Sequence, residues 1–301
     1  MAASRLILSM YSVFGDESHD ADRVRVFAVG GLFGDDNEWE EAKAAWSART
    51  GSIIFHATDC DSDNDEFANF SHRENKRLYK DLTKILASSR LFGFGASVSL
   101  PDYNRVFADK LDYTPYFLCF SEVICHFARQ SHLSIPRDLV KYTFAHNNRV
   151  EHDAASVYEY SLILREWPYH KYLYPGELAF GFRTNPCVQM ADLVAHETMK
   201  HWDNQFGPVW RMTRGSFRAL QSTGRFRYHF FGGDYFEDLV ERSDRIASSR
   251  SLKQPYQSWL NEHSLSDTVS ARIKYQFFID QIDRQGGQRP STLEGPAPVP
   301  Q

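Results

Sequence analysis

Apolar residues recur along this chain with two periods, one typical of half-buried strands and one typical of helices. Residues 6–14 and 24–33 are β-rich runs joined by a polar loop, a pattern that predicts an antiparallel hairpin with acidic residues at its open end. Further strands are predicted at residues 53–56, 91–100, 139–145 and 177–182.

Helical periodicity occurs between these strands. Ser71 and Glu74 have the spacing of a capping box, and the apolar repeat that follows predicts a helix to about residue 89. Pro115 and Pro186 suit the first turn of two further helices. The other helical patterns cover residues 36–49, 114–132, 152–167 and 186–202. Strands that alternate with helices in this way predict an α/β fold in three layers.

The remaining segments are less regular. Residues 58–70 are acidic and lack the glycine that a calcium loop needs at its sharp turn, so we interpret them as a solvated loop. Beyond about residue 210 the pattern predicts an irregular region that leads into a helical C-terminal extension, residues 249–285. Residues 286–301 are rich in glycine and proline and are predicted to be a disordered tail.

Composition narrows the class of protein. The chain has 301 residues, of which 42% are hydrophobic, enough for one large core with or without a small appendage. It contains no apolar run long enough to cross a membrane and no secretory leader, so we expect a globular cytoplasmic protein. The four cysteines form no CxxC pair, which favours buried reduced thiols. A formal charge of -5 argues against nonspecific coating of nucleic acid.

The candidate chemistry begins with Asp192. Met190, Leu193 and Val194 repeat at the spacing of a buried helical face, and an ionised carboxylate on such a face needs a partner. Far upstream, Asp16 and Glu17 end the first strand. Metal chemistry uses acids placed in this way. The structural alternatives are a polar turn at the hairpin and, for the helix, an acid bonded to backbone or to an arginine.

Four segments carry a resemblance to a known family: residues 15–18 (GDES), 27–32 (FAVGGL), 55–60 (FHATDC) and 189–195 (QMADLVA). In this order they resemble the domain of unknown function 3800 family, a branch of the ribonuclease H-like clan, over roughly residues 6–230. The resemblance implies a mixed five-stranded sheet flanked by helices, here residues 1–248 with insertions. It also implies phosphodiester cleavage assisted by two Mg²⁺ or Mn²⁺ ions.

The same resemblance assigns roles to residues. The ligand expected to bridge the ions maps to Asp16, and the carboxylate of the late helix maps to Asp192. Glu17 is a further candidate ligand, although strand alternation would turn it away from Asp16 if the strand continues. The chain departs from the pattern of the clan at the end of the strand predicted over residues 139–145, the fourth strand of the clan's sheet. Clan members usually carry an acid there, and this chain has His146 and Asn147. This leaves three alternatives: the site holds one metal instead of two, a substituted ligand such as His146 replaces the acid, or the site binds without cutting.

Two histidines are candidates for proton transfer. His56, at a predicted strand end, could move a proton or be structural. His196 lies one helical turn after Asp192, so it could orient that carboxylate, shuttle a proton or pack.

A late stretch interleaves arginine with aromatic residues. Arg211, Arg214 and Arg218 could contact phosphates while Phe217 and Tyr228 stack on bases, or they could form ordinary ion pairs. The leading hypothesis is a metal-dependent nuclease with a nucleic-acid partner and no membrane. The alternatives are a noncatalytic nucleic-acid-binding or assembly protein with a degenerate site, and a hydrolase of small phosphate esters.

Overall fold

A six-stranded mixed sheet forms the centre of the fold. The structure, a computed structural model, describes residues 11–107, 110–111, 114–134, 140–147, 151–163, 173 and 178–283. The strands are β1 (Tyr11–His19), β2 (Val26–Asp35), β3 (Phe92–Ser99), β4 (Val140–Ala145), β5 (Ala179–Gly181) and β6 (Phe226–Phe231), in the spatial order β5-β4-β1-β2-β3-β6. The α/β prediction is confirmed, but the expectation of five strands is wrong because β6 adds a sixth beside β3.

Strand directions place the carboxyl ends of three strands at one edge of the sheet. β1 pairs antiparallel with β2, as the hairpin pattern predicts, and β2 pairs antiparallel with β3. β4 runs parallel to β1, and β5 runs parallel to β4. The ends of β1, β4 and β5 therefore lie together. Residues 6–10 of the predicted first strand lie outside the described residues.

Helices cover both faces of this sheet. They are α1 (Asp36–Thr50), α2 (Ala57–Ser62), α3 (His72–Ser88), α4 (Leu100–Phe107), α5 (Pro115–Ser134), α6 (Glu151–Ile163), α7 (Pro186–Phe206), α8 (Gly215–Gln221), α9 (Gly233–Ser248), α10 (Arg250–Glu262) and α11 (Val269–Asp283). The predicted capping box is present at the start of α3, where the side chains of Ser71 and Glu74 each bond the other residue's backbone N–H. Among the described helices none is both long and apolar enough to span a bilayer.

Two sequence predictions on one segment are wrong. Residues 53–56 do not form a strand but an irregular approach to α2, and residues 58–70 are not a loop but contain most of α2 and a 3₁₀ helix at Asp65–Asn69. The acidic composition masks the helical pattern because few residues of these two short helices are buried, namely Ala57, Cys60 and Phe67. These short helices bring residues 55–60 against α7.

The core is divided between the two faces of the sheet. One face packs Trp46, Phe55, Leu82 and Leu193 from the α1, α3 and α7 side. The other face packs α5 together with the C-terminal helices, so that Phe277 of α11 lies in the same buried cluster as residues of β4. The predicted helical extension thus contributes to the core, through residues from Tyr256 to Phe277. The predicted tail, residues 286–301, lies outside the described residues.

Candidate functional site

A row of glycines lets α7 lie directly on the sheet. Gly30 is opposite Asp16 in the register of β1 and β2, and it pairs with Gly95 on β3. A Cβ atom on Gly30 would lie 2.4 Å from the backbone nitrogen of Ala195, so the α7 backbone occupies the space that a side chain would need. Asp192 precedes Ala195 by less than one helical turn. The glycine row therefore brings Asp192 to the level of Asp16.

The two acids are buried together. Asp16 is 8% exposed and Asp192 is 3% exposed. Burial raises the pKa of Asp16 well above its ordinary value of 3.8, and the charges of Asp192 and Glu17 raise it further. Burial also raises the pKa of Asp192. Burial thus favours the protonated form of both carboxyl groups. This is expected where acidic side chains lie together without enough positive charge to balance them.

Each carboxylate is held by a backbone N–H group. The Asp192 Oδ2 atom accepts a hydrogen bond of 2.7 Å from the backbone of Ala57, and the Asp16 Oδ1 atom accepts one of 2.8 Å from the backbone of Glu17. Within the described part of the chain neither carboxylate forms an ion pair with lysine or arginine. The structural alternative for Asp192 was a bond to backbone or to an arginine. The backbone bond is present, and the described residues show no arginine ion pair.

Glu17 follows Asp16 on β1 and adds a third acid near the pair without sharing its face of the sheet. β1 continues through it to His19, so alternation directs Asp16 and Glu17 to opposite faces, as expected for an unbroken strand. Burial raises the pKa of Glu17, and the charge of Asp192 raises it too. The side-chain amide of Asn147 donates a hydrogen bond to the Glu17 Oε1 atom.

The end of β4 contributes Asn147 and not His146. The Nδ1 atom of His146 contacts the Oε1 atom of Glu151, and its ring lies 5.2 Å from the ring of Phe182. The prediction that His146 replaces the fourth-strand acid as a ligand stays a prediction: Glu151 occupies its Nδ1 atom, and the described contact from this segment to an acid of the site is made by Asn147. Glu151 is also engaged at this strand end, since its Oε1 atom accepts a bond from the Asn147 backbone.

His56 lies beside Asp192. It caps the start of α2, immediately before Ala57, and its proximity opposes the rise in the pKa of Asp192. Its Nδ1 atom is 2.5 Å from the Oδ2 atom of Asp59. A carboxylate on one ring nitrogen orients the imidazole and leaves the other nitrogen for proton transfer.

A second charged network joins α2, α3, α7 and α8. Arg214 forms two bonds with the Asp61 carboxylate, at 2.7 Å and 2.9 Å, and its Nε atom lies 3.1 Å from Glu197. Glu197 is fully buried and also accepts a hydrogen bond of 2.6 Å from Tyr79. His196, also fully buried, contacts Asp61 at 3.4 Å. These residues connect helices around the site.

This network corrects several expectations for the arginine-rich stretch. Arg214 is committed to internal ion pairs, so it is not an open phosphate contact. Phe217 is buried and stacks on His201 at 4.0 Å, and it packs against Tyr228 at 4.2 Å, so these rings form core contacts and are not a base platform. Arg211 and Arg218 are exposed, and no described contact links either side chain to the acids. Residues 226–231 of this stretch form β6.

Sequence reasoning missed Arg183. This residue lies in the turn between β5 and α7, and its charge lowers the pKa values of Asp16, Glu17 and Asp192. It stands three residues before Pro186, between a predicted strand end and a predicted helix start, and that position was the available signal.

The ligand set is small, and comparisons give no family. Among the described residues no group of three or more His, Cys, Asp and Glu side chains is arranged to hold a metal ion. No protein-family model matches the chain, and no curated protein matches it. The resemblance to the domain of unknown function 3800 family therefore stays a prediction from the four segments.

Proposed function

We propose that this chain is a divalent-cation-dependent phosphodiesterase that hydrolyses nucleic acid with a ribonuclease H-like arrangement of acids. The observation that carries the proposal is that the carboxyl groups of Asp16 and Asp192 are buried close to each other. Among the described residues neither has an ion-pair partner. Burial of charge without a counter-ion is costly, so a bound cation would stabilise the pair. Hard divalent cations prefer carboxylate oxygens.

The proposed site would take one Mg²⁺ or Mn²⁺ ion. Asp16 and Asp192 would hold it, with Glu17 close by and oriented by Asn147. Mg²⁺ keeps several waters and is commonly bound through one or two carboxylates plus substrate phosphates, so a closed protein cage is not required. When bound, the ion would supply charge neutralisation on the phosphodiester and acidify a water molecule. We propose one ion because Asn147, the residue that follows β4 and contacts Glu17, is neutral where the resemblance implies an acid.

His56 is the group of this chain best placed to handle a proton. Its Nδ1 atom is occupied by Asp59, which leaves the Nε2 atom as the exchanging position. The backbone bond from the neighbouring Ala57 holds the Asp192 carboxylate, so the acid and the imidazole keep a common anchor at the start of α2. General acid–base catalysis by a positioned histidine contributes about 10²–10⁴-fold in rate.

A nucleic-acid partner is supported by the proposed cation and by exposed positive charge, of which Arg183 is the part beside the acids. Arg183 lies at the rim of the acids, and Arg211 and Arg218 remain exposed for phosphate contacts. Phosphate contacts of this kind position a strand without reading its sequence.

A noncatalytic binding protein is the second candidate function. It is favoured by the asparagine at the end of β4, where the resemblance implies an acid, and by the small donor set. In that case the two acids would share a proton instead of a cation, as close carboxyl pairs do.

The test measures cation binding and cleavage in the same preparations. Mn²⁺ is titrated into the protein by calorimetry, and labelled single- and double-stranded DNA and RNA are incubated with Mg²⁺ or Mn²⁺. We expect cleavage by the parent protein and loss of both Mn²⁺ binding and cleavage in Asp16→Asn and Asp192→Asn. Asp244→Asn removes an exposed acid of α9 and serves as the matched control. A parent protein that neither binds Mn²⁺ nor cleaves supports the noncatalytic candidate.

A further inference from the structure

The turn between β5 and α7 stands at the rim of the acid site. Its residues 182–185 connect the strand end at Gly181 to the helix that carries Asp192. The turn is pinned from within: the Asn185 N–H donates to the Phe182 carbonyl at 2.9 Å, and the Gln189 side chain donates to the Arg183 carbonyl at 2.9 Å. A defined backbone therefore presents the two side chains.

Arg183 has a free charge beside three acids. Its side chain is exposed, and within the described part of the chain it forms no ion pair, although its charge is felt by Asp16, Glu17 and Asp192. An arginine that served to neutralise these acids would pair with one of them, as Arg214 does with Asp61. Its planar guanidinium instead has donors free for an incoming anion, and phosphate is the anion that fits this geometry.

Phe182 is an exposed aromatic ring next to that charge. It is 68% exposed, and its ring contacts the imidazole of His146 at 5.2 Å with a tilt of 52°. Exposed aromatic side chains beside a cationic group form stacking platforms for nucleic-acid bases, since every base offers a π face. The neighbouring imidazole limits the positions that the ring can adopt.

We infer that Phe182 and Arg183 form a substrate contact that takes one unpaired nucleotide, with its base on Phe182 and its phosphate on Arg183. The inference rests on the proposed function, because it names single-stranded nucleic acid as the substrate class of the same site. A base inside a duplex is already stacked on its neighbours and is not free to stack on protein without unpairing. Single strands, or unpaired ends, are therefore the preferred substrates.

Another exposed apolar surface provides a matched control. Trp210 is 69% exposed, and the neighbouring backbone of Arg211 bonds to Asn204 at 2.8 Å. Asn204 lies in α7 about 18 Å beyond Asp192, at 1.5 Å per residue. Trp210→Ala thus removes an equally exposed aromatic ring away from the acids.

The experiment measures binding by fluorescence anisotropy. Fluorescein-labelled single-stranded DNA, single-stranded RNA and blunt duplex DNA of one sequence are titrated with the full chain in Ca²⁺ at several salt concentrations. We expect Phe182→Ala to weaken single-strand binding about tenfold, with little effect on duplex binding, and Phe182→Trp to restore it. Arg183→Gln should weaken binding and reduce the salt slope by about 0.7. Trp210→Ala should bind like the parent.

Mn²⁺ titration of the same variants separates this inference from the proposed function. Phe182→Ala and Arg183→Gln should keep their Mn²⁺ affinity, or gain it where a nearby positive charge is removed. A parent that binds single strands through Phe182 but neither holds Mn²⁺ nor cleaves would sustain the inference and reject the phosphodiesterase. The inference is overturned if Phe182→Ala binds single strands like the parent, if Trp210→Ala causes the loss instead, or if the parent binds no oligonucleotide.

Discussion

Asp16 of β1 lies opposite Gly30 of β2. Because Gly30 has no side chain, the backbone of α7 can pack directly on the sheet beside Asp16. The same helix carries Asp192, so one glycine links strand packing to the geometry of the acid site. Gly95, the next residue in the row, has the equivalent role under Thr198, whose Oγ1 atom would be 2.0 Å from an added Cβ.

Gly30→Ala should therefore damage the site by displacing α7. The new Cβ would meet backbone at 2.4 Å, and overpacking of this kind destabilises by about 1–3 kcal/mol or more. We expect lower stability in urea and weaker Mn²⁺ binding together. Gly215→Ala is the control, because a Cβ there meets nothing within 4 Å. Parent-like Mn²⁺ binding in a folded Gly30→Ala protein would contradict the role assigned to this contact.

The raised pKa of Asp16 predicts how stability depends on pH. The folded protein holds a proton on Asp16 at pH values where the unfolded chain has lost it, so stability falls as pH rises from 3.8 through the raised pKa. Without divalent ions, Asp16→Asn should raise the Tm by about 2 °C or more at about pH 8, because folding of the parent must there either bury a charge or take up a proton at Asp16. The difference should vanish below the ordinary pKa of 3.8.

Calorimetric melts across this pH range, with and without Mn²⁺, test the assignment. Mn²⁺ should raise the Tm of the parent and leave that of Asp16→Asn unchanged, since binding to the folded state alone stabilises it. A purely structural Asp16 would give the opposite sign, a loss of stability on replacement.

His56→Gln should lower kcat by about 10²–10⁴-fold while Mn²⁺ affinity stays near that of the parent. The matched control is His72→Gln, because His72 forms the same kind of pair, its Nδ1 atom 2.7 Å from the Oδ2 atom of Asp63, on an exposed surface. Single-turnover cleavage of a labelled strand measures the effect. Equal rates for the two variants would leave His56 with a structural role only.

Arg214→Ala should destabilise the fold by about 3 kcal/mol, because it leaves the buried Glu197 carboxylate without its cationic partner. Arg218→Ala, one turn later in α8 and exposed, should stay within about 0.5 kcal/mol of the parent. Urea denaturation at neutral pH measures both. If Arg214→Ala proved as stable as Arg218→Ala, the network would not hold α8 against α3 and α7.

Local signals in the sequence were sufficient for most of the sheet and helices. The capping box at Ser71 and Glu74 and the proline at Pro186 marked helix starts that the structure confirms. β6 was missed because its arginine and aromatic residues suggested a binding surface, whereas Phe226 and Phe231 are buried at its two ends. Pattern alone does not separate an aromatic edge strand from an aromatic surface.

Long-range contacts are where sequence reasoning ran out. The pairing of Asp16 with Asp192 was expected from the resemblance, and its physical cause, a glycine row under α7, depends on strand register that no local period shows. Arg214 forms ion pairs with Asp61 and Glu197. Asp61 is far from Arg214 in sequence, so the local pattern does not show that this arginine is engaged inside the fold. Phe182 and Arg183 carried no motif, and only their place in the fold sets them beside the acids.

Anomalous diffraction from crystals of the parent protein soaked in Mn²⁺ tests the central claim most directly. We predict one manganese peak between the carboxylates of Asp16 and Asp192, with water completing its shell, and no peak at this position in Asp192→Asn. Carboxyl groups hydrogen-bonded to each other without a peak, or manganese bound only elsewhere on the protein, would contradict the proposed cation site.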